Sequence, residues 1–155
     1  MDSPFQRKGA ISNTHVNREF EIKAREFFAQ KGIILSPSLV LAIGINGKRQ
    51  HKFNLGDQNR KVIVECKSYR WIEGGNTPSA KMRDRNEAMY LFYAAPSDYR
   101  KILFVLRDYN QSKMETLAEY YVRTNPYLIP PEVEIWKYDE TTRTGKRLNG
   151  KVHIG

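Results

Sequence analysis

The chain has 155 residues, 40% apolar and 28% charged, which is enough for one domain with its own core. Its single cysteine, Cys66, excludes an internal disulfide framework and a cysteine-based zinc centre. No apolar run is long enough to span a bilayer and no apolar leader opens the sequence, so a cytoplasmic protein without a membrane partner is expected. The net charge of +9, from 26 basic and 17 acidic residues, points to a polyanionic partner, most often nucleic acid. Charge carried only for solubility is the plain alternative. Residues 141–155 add Arg143, Lys146, Arg147 and Lys151 without an acid.

Residues 1–12 read as a loose arm. Asn13 or Thr14 can cap a helix reaching about Lys31, with Val16, Phe20, Ala24, Phe27 and Phe28 as its apolar stripe and Gly32 as its stop. A strand over 39–45 leads through Asn46-Gly47, a two-residue hairpin turn, to a second strand over 48–55. A polar turn near 57–61 precedes a third strand over 62–67, and a loop over 68–76 follows. Thr77-Pro78 predicts a helix running to about Ala95. The run 101–107 reads as a strand buried on both faces, followed by a helix over about 112–123, a proline-rich turn, and a last strand over 133–138. The fold class is therefore α/β with a mixed sheet and a parallel crossover between the strands at 62–67 and 101–107.

Strand alternation sorts the second hairpin. Val62, Val64 and Cys66 face one way, and Ile63, Glu65 and Lys67 the other. Pairing apolar with apolar sets Phe53 and Leu55 beside Val64 and Cys66, with 57 opposite 62, 54 opposite 65 and 52 opposite 67. Lys52, Asn54, Glu65 and Lys67 then form one polar patch.

The stretches Phe53-Asn54-Leu55 and Val64-Glu65-Cys66-Lys67 resemble the PD-(D/E)xK nuclease superfamily of restriction endonucleases and junction resolvases. That family sets an acid on one strand against a (D/E)xK on the next, within an αβββαβ core. The likeness covers about residues 14–107 of a single domain over 1–155, with 108–155 as an elaboration. Asn54 stands where the motif acid is expected. An amide oxygen can still face a hard cation, but it brings no charge. Asp57 could replace that acid only through a bulge, since alternation points it to the apolar side or the turn.

The resemblance implies Mg²⁺ or Mn²⁺ held by Glu65, Asn54 and the Cys66 carbonyl, with Lys67 orienting the attacking water and Glu21 reaching in from the first helix. Such a cation would lower the pKa of its water and neutralise charge on the phosphate. A surface salt bridge, worth about 0–1 kcal/mol, is the bland reading of Glu65 and Lys67. Lys52, Arg70, Trp71, Lys81, Arg83 and Arg85 are candidate DNA contacts, with a solvated helix face as the plain reading of Arg83 and Arg85, and Asn86 with Tyr90 resembles a second-helix motif of some nucleases. His15, His51 and His153 show no ligand spacing and read as structural or surface residues. A Mg²⁺-dependent DNA endonuclease acting as a homodimer is the leading expectation. A catalytically inactive nucleic-acid-binding module on the same fold is the alternative.

Overall fold

The structure, a computed structural model, describes residues 4–73, 76 and 78–150. In chain order it holds α1 (Pro4–Ala29), β1 (Ser36–Ile43), β2 (Arg49–Asp57), β3 (Val62–Lys67), α2 (Ser79–Tyr93) and β4 (Arg100–Leu106). The two-residue strands β5 (Tyr109–Asn110) and β6 (Glu115–Thr116), α3 (Leu117–Thr124), β7 (Val133–Asp139) and β8 (Thr144–Arg147) complete it. The central sheet is mixed and six-stranded, ordered β1-β2-β3-β4-β7-β8. Pairing is antiparallel from β1 to β3, parallel from β3 through β4 to β7, and antiparallel again to β8. The fold is α/β as expected, with a second parallel crossover through α3.

One face of the sheet takes α1. Phe20, Ala24, Phe27 and Phe28 recur at helical spacing and bury against Leu55, Val62, Val64, Ile102, Phe104 and Tyr138. The other face takes α2 and α3, with Ala88, Met89, Phe92 and Tyr121 packed on Phe53, Ile63, Leu103 and Val105. β4 lies between these layers, and six of its seven residues are buried: Lys101 and the continuous apolar run 102–106. At the far edge β8 passes so close to α1 that a Cβ on Gly145 would sit 2.5 Å from the Phe27 ring.

Several expected boundaries shift. The first helix begins at Pro4, whose fixed φ suits a first helical turn, so Asn13 and Thr14 lie inside it. The hairpin loop spans 44–48 rather than two residues, because β1 ends at Ile43 and β2 starts at Arg49. Gly44 closes it at φ +147°, where a Cβ would collide with the Gly47 carbonyl at 1.9 Å. α3 starts at Leu117, not near 112, because β5 and β6 form a ribbon. Thr116 then caps the helix in a reciprocal pair with Glu119. The expected Thr77 cap lies outside the described residues. Among those residues no helix is long and apolar enough to cross a membrane.

Candidate functional site

The β2–β3 ladder is short. Asp57 opposes Val62, as alternation predicts, and Leu55 opposes Val64, but there the pairing ends. β2 continues along β1 as far as Arg49, while β3 continues along β4 as far as Lys67. The sheet forks at Asn54. There the Asn54 Oδ1 accepts the Cys66 N–H at 2.8 Å, replacing the backbone acceptor that a regular ladder would supply. Ser38, at the matching point of β1, has φ +62° and drops out of the β1–β2 register.

This irregularity reverses which side chains face which layer. Leu55 packs toward α1 with Val62 and Val64, but Phe53 packs toward α2, with its ring stacked on Phe92 at 5.8 Å. The expected patch of Lys52, Asn54, Glu65 and Lys67 is therefore corrected. Lys52 is exposed on the opposite side from Phe53, and the residue standing beside Glu65 is His51. Reading Phe53 and Leu55 as one face missed this, since strict alternation fails where a side chain substitutes for the ladder.

Glu65 is buried, at 6% exposure. Burial pushes its carboxyl up to about 7, against the Lys67 charge and the Asn54 backbone N–H, which act to lower it. The His51 Nε2 lies 3.5 Å from Glu65 Oε1, and neither buried atom has a hydrogen-bond partner. Burial holds the His51 imidazole below its usual range, partly opposed by Glu87. Glu87, His51 and Tyr90 line a cleft of about 700 Å³ between the β1–β2 hairpin and α2. Glu21, half-buried on α1, is pushed up by burial, and its charge is felt at both Glu65 and Cys66.

Lys67 turns toward α2, where its Nζ donates to Asp84 Oδ2 at 2.9 Å. The same carboxylate oxygen accepts the Tyr69 hydroxyl. Burial would raise Asp84, but these two donors bring it below the usual carboxylate range. Behind Tyr69 lies Arg85, fully buried, with Nε and both terminal nitrogens unpartnered. Its guanidinium sits between the rings of Tyr69 and Tyr121, 5.5 and 5.6 Å from their centroids. Burial draws its pKa down to about 10. Arg85, expected beside Lys81 and Arg83 as a phosphate contact, is instead buried; nothing along a charged helix distinguishes a buried arginine from its exposed neighbours. Asp84 and Tyr69 escaped sequence reasoning.

The remaining expected residues disperse. The Lys81 Nζ lies 5.0 Å over the Tyr69 ring, and both residues line a second cleft of about 610 Å³ with Arg70 and Trp71. Arg70 is already engaged, 2.9 Å from Glu140 and 3.6 Å from Asp108. The Trp71 backbone donates to Asp108, and its ring meets Tyr120. Asn86 Oδ1 accepts the Tyr121 hydroxyl at 2.8 Å, which gives it a packing role, while Tyr90 is exposed. Asp57 sits at the turn end of the ladder, where its Oδ1 accepts the Asn59 N–H.

The oxygen ligand set implied by the motif is assembled only in part. Asn54 Oδ1 is committed to the Cys66 N–H and Asp57 to its own turn. Among the described residues no three His, Cys, Asp or Glu side chains converge. What fits a divalent cation is the buried Glu65 Oε1, an oxygen without a donor. The chain matches no family model, no curated protein and no solved structure.

Proposed function

We propose that the protein is a metal-dependent DNA endonuclease of the PD-(D/E)xK, restriction-endonuclease-like kind, weakened at its reaction centre by Asn54. The observation that carries this reading is the fork between β2 and β3, with the buried, unpartnered Glu65 Oε1 on one arm, Lys67 two residues on, and Asn54 at the junction. The order α1-β1-β2-β3-α2-β4 and the net charge of +9 support it.

A Mg²⁺ or Mn²⁺ ion would supply a lowered water pKa and Lewis acidity when bound. Glu65 would hold it, and Glu21 adds a second carboxylate's charge from α1. Lys67, steadied by Asp84, presents a compact charge for the scissile phosphate. The exposed Lys81 and Arg83 supply phosphate contacts along α2.

A second reading, a nucleic-acid-binding module without catalysis, is favoured by the commitment of Asn54 Oδ1 to the backbone. The two separate in a cleavage assay on supercoiled, linear and branched DNA with Mg²⁺ or Mn²⁺. It compares the chain as it stands, Asn54→Asp, and Lys67→Ala added to Asn54→Asp. Cleavage gained with Asn54→Asp and lost with Lys67→Ala supports the nuclease. Salt-sensitive, metal-independent binding with no cleavage by any variant gives the binding module.

A further inference from the structure

We propose that His51 and Glu65 together form a site for a borderline transition-metal dication of the Mn²⁺, Co²⁺ or Zn²⁺ class. The proposal rests on the fork being the reaction centre only for its biological use; the site itself stands on the geometry of these two side chains.

His51 Nε2 and Glu65 Oε1 stand 3.5 Å apart, an ion-pair distance when the imidazole is protonated, yet among the described residues neither atom makes a hydrogen bond, and both are shielded from solvent. Leaving two such atoms buried and unpaired is costly, about 1–3 kcal/mol for each group. Their spacing suits a bridging cation. With bonds of about 2.1 Å to each atom, a separation of 3.5 Å corresponds to a ligand–metal–ligand angle of roughly 110°. One imidazole and one carboxylate are a mixed nitrogen–oxygen pair, which favours Mn²⁺, Co²⁺ or Zn²⁺ over the all-oxygen preference of Mg²⁺.

The surroundings are arranged for the pair. The remainder of the imidazole is fixed edge-on against Phe53, with ring centroids 4.6 Å apart. His51 has 29% of its side chain exposed and lines a cleft with Glu87, whose charge acts on the imidazole, while the Nε2 itself stays on the buried side. Lys67, the nearest cation on β3, is drawn away to Asp84 and does not neutralise Glu65 by contact. The fork creates the site. Had the β2–β3 ladder run on regularly, His51 would have faced the α1 layer, away from Glu65.

The test is calorimetric titration of the metal-free protein with Co²⁺ and, separately, Mg²⁺, with the Co²⁺ absorption spectrum recorded alongside. The expected result is one Co²⁺ site with a nitrogen-containing ligand field. His51→Ala weakens it by about tenfold or more, a loss of roughly 1.4 kcal/mol or more. Glu65→Gln does the same. His51→Asp, which exchanges nitrogen for oxygen, shifts the preference toward Mg²⁺, while circular dichroism reports whether each variant is folded. Co²⁺ binding that is absent, or unchanged in folded His51→Ala, overturns the proposal. Because no DNA is present, the outcomes stay separate. Cleavage by Asn54→Asp without a His51-dependent site sinks this inference and spares the nuclease. A His51-dependent site without any cleavage does the reverse.

Discussion

The side-chain oxygen of Asn54 accepts the Cys66 amide at 2.8 Å, at the point where β2 and β3 part. A carboxylate can accept the same hydrogen bond, whereas an aliphatic side chain cannot. Asn54→Asp should therefore leave thermal unfolding within about 1 kcal/mol of the parent, and Asn54→Leu should lose about 1–3 kcal/mol through an unsatisfied buried N–H. Denaturant titration of both variants checks this. Equal loss in the two would mean that the amide nitrogen, not the oxygen, holds the fork.

Arg85 carries a buried charge that no carboxylate among the described residues contacts directly. The two tyrosine rings offset part of its desolvation, but burial outweighs them and draws its pKa down. Replacing it with methionine, of similar reach and no charge, should stabilise the protein by about 1 kcal/mol or more. The expected readout is a higher melting temperature, and a lower one would show that the tyrosine contacts outweigh desolvation.

Glu134 gives the acid limb of stability. Burial raises its pKa, but two bonds from Arg100, at 2.6 and 2.9 Å, and one from the Trp136 Nε1–H more than offset it, leaving the carboxyl below its ordinary 4.5. A depressed carboxylate contributes stability that is present above the unfolded value and lost as pH falls through the folded one. Stability should decline below about pH 4.5, and Glu134→Gln should flatten that decline while lowering the plateau near neutrality. Unfolding free energies measured from pH 3 to pH 7 test the sign.

On the DNA-binding reading, Lys81 and Arg70 should behave differently although both line the same cleft. Lys81 is exposed and makes no ion pair among the described residues, so Lys81→Ala should reduce the slope of log affinity against log salt by about 0.9. Arg70 already contacts Asp108 and Glu140, and Arg70→Ala should change that slope less. Fluorescence anisotropy at several salt concentrations separates them.

Much of this arrangement is legible in the sequence where regular periodicity governs it. The stripe of Phe20, Ala24, Phe27 and Phe28, the doubly buried strand after Arg100 and the opposition of Asp57 to Val62 all follow from spacing alone. Legibility stops at Asn54, because alternation presumes an unbroken ladder and a side-chain oxygen here takes the place of a backbone one. The error carries forward: Phe53 goes to the wrong layer, and His51 becomes a surface residue instead of the neighbour of Glu65. The late start of α3 had a readable signal in Thr116 and Glu119, a capping box three residues apart that outranks the propensity of 112–116.

The fork also divides the mechanical support of its two key side chains. His51 belongs to a two-stranded ribbon of β1 and β2, and Glu65 to a slab of β3, β4 and β7 clamped between α1 and the two other helices. The ribbon and the slab share only three paired residues on each strand, 55–57 with 62–64. The distance between imidazole and carboxylate is thus set at two places, as the gap of a pair of tongs is set by its pivot and by whatever grips its arm. One is the pairing at 55–57, and the other is the hold of α2 on the ribbon through the Phe53–Phe92 stack and the Gly44 N–H donating to the Ala94 carbonyl. Loosening either the pivot at Gly56 or that grip should change the gap.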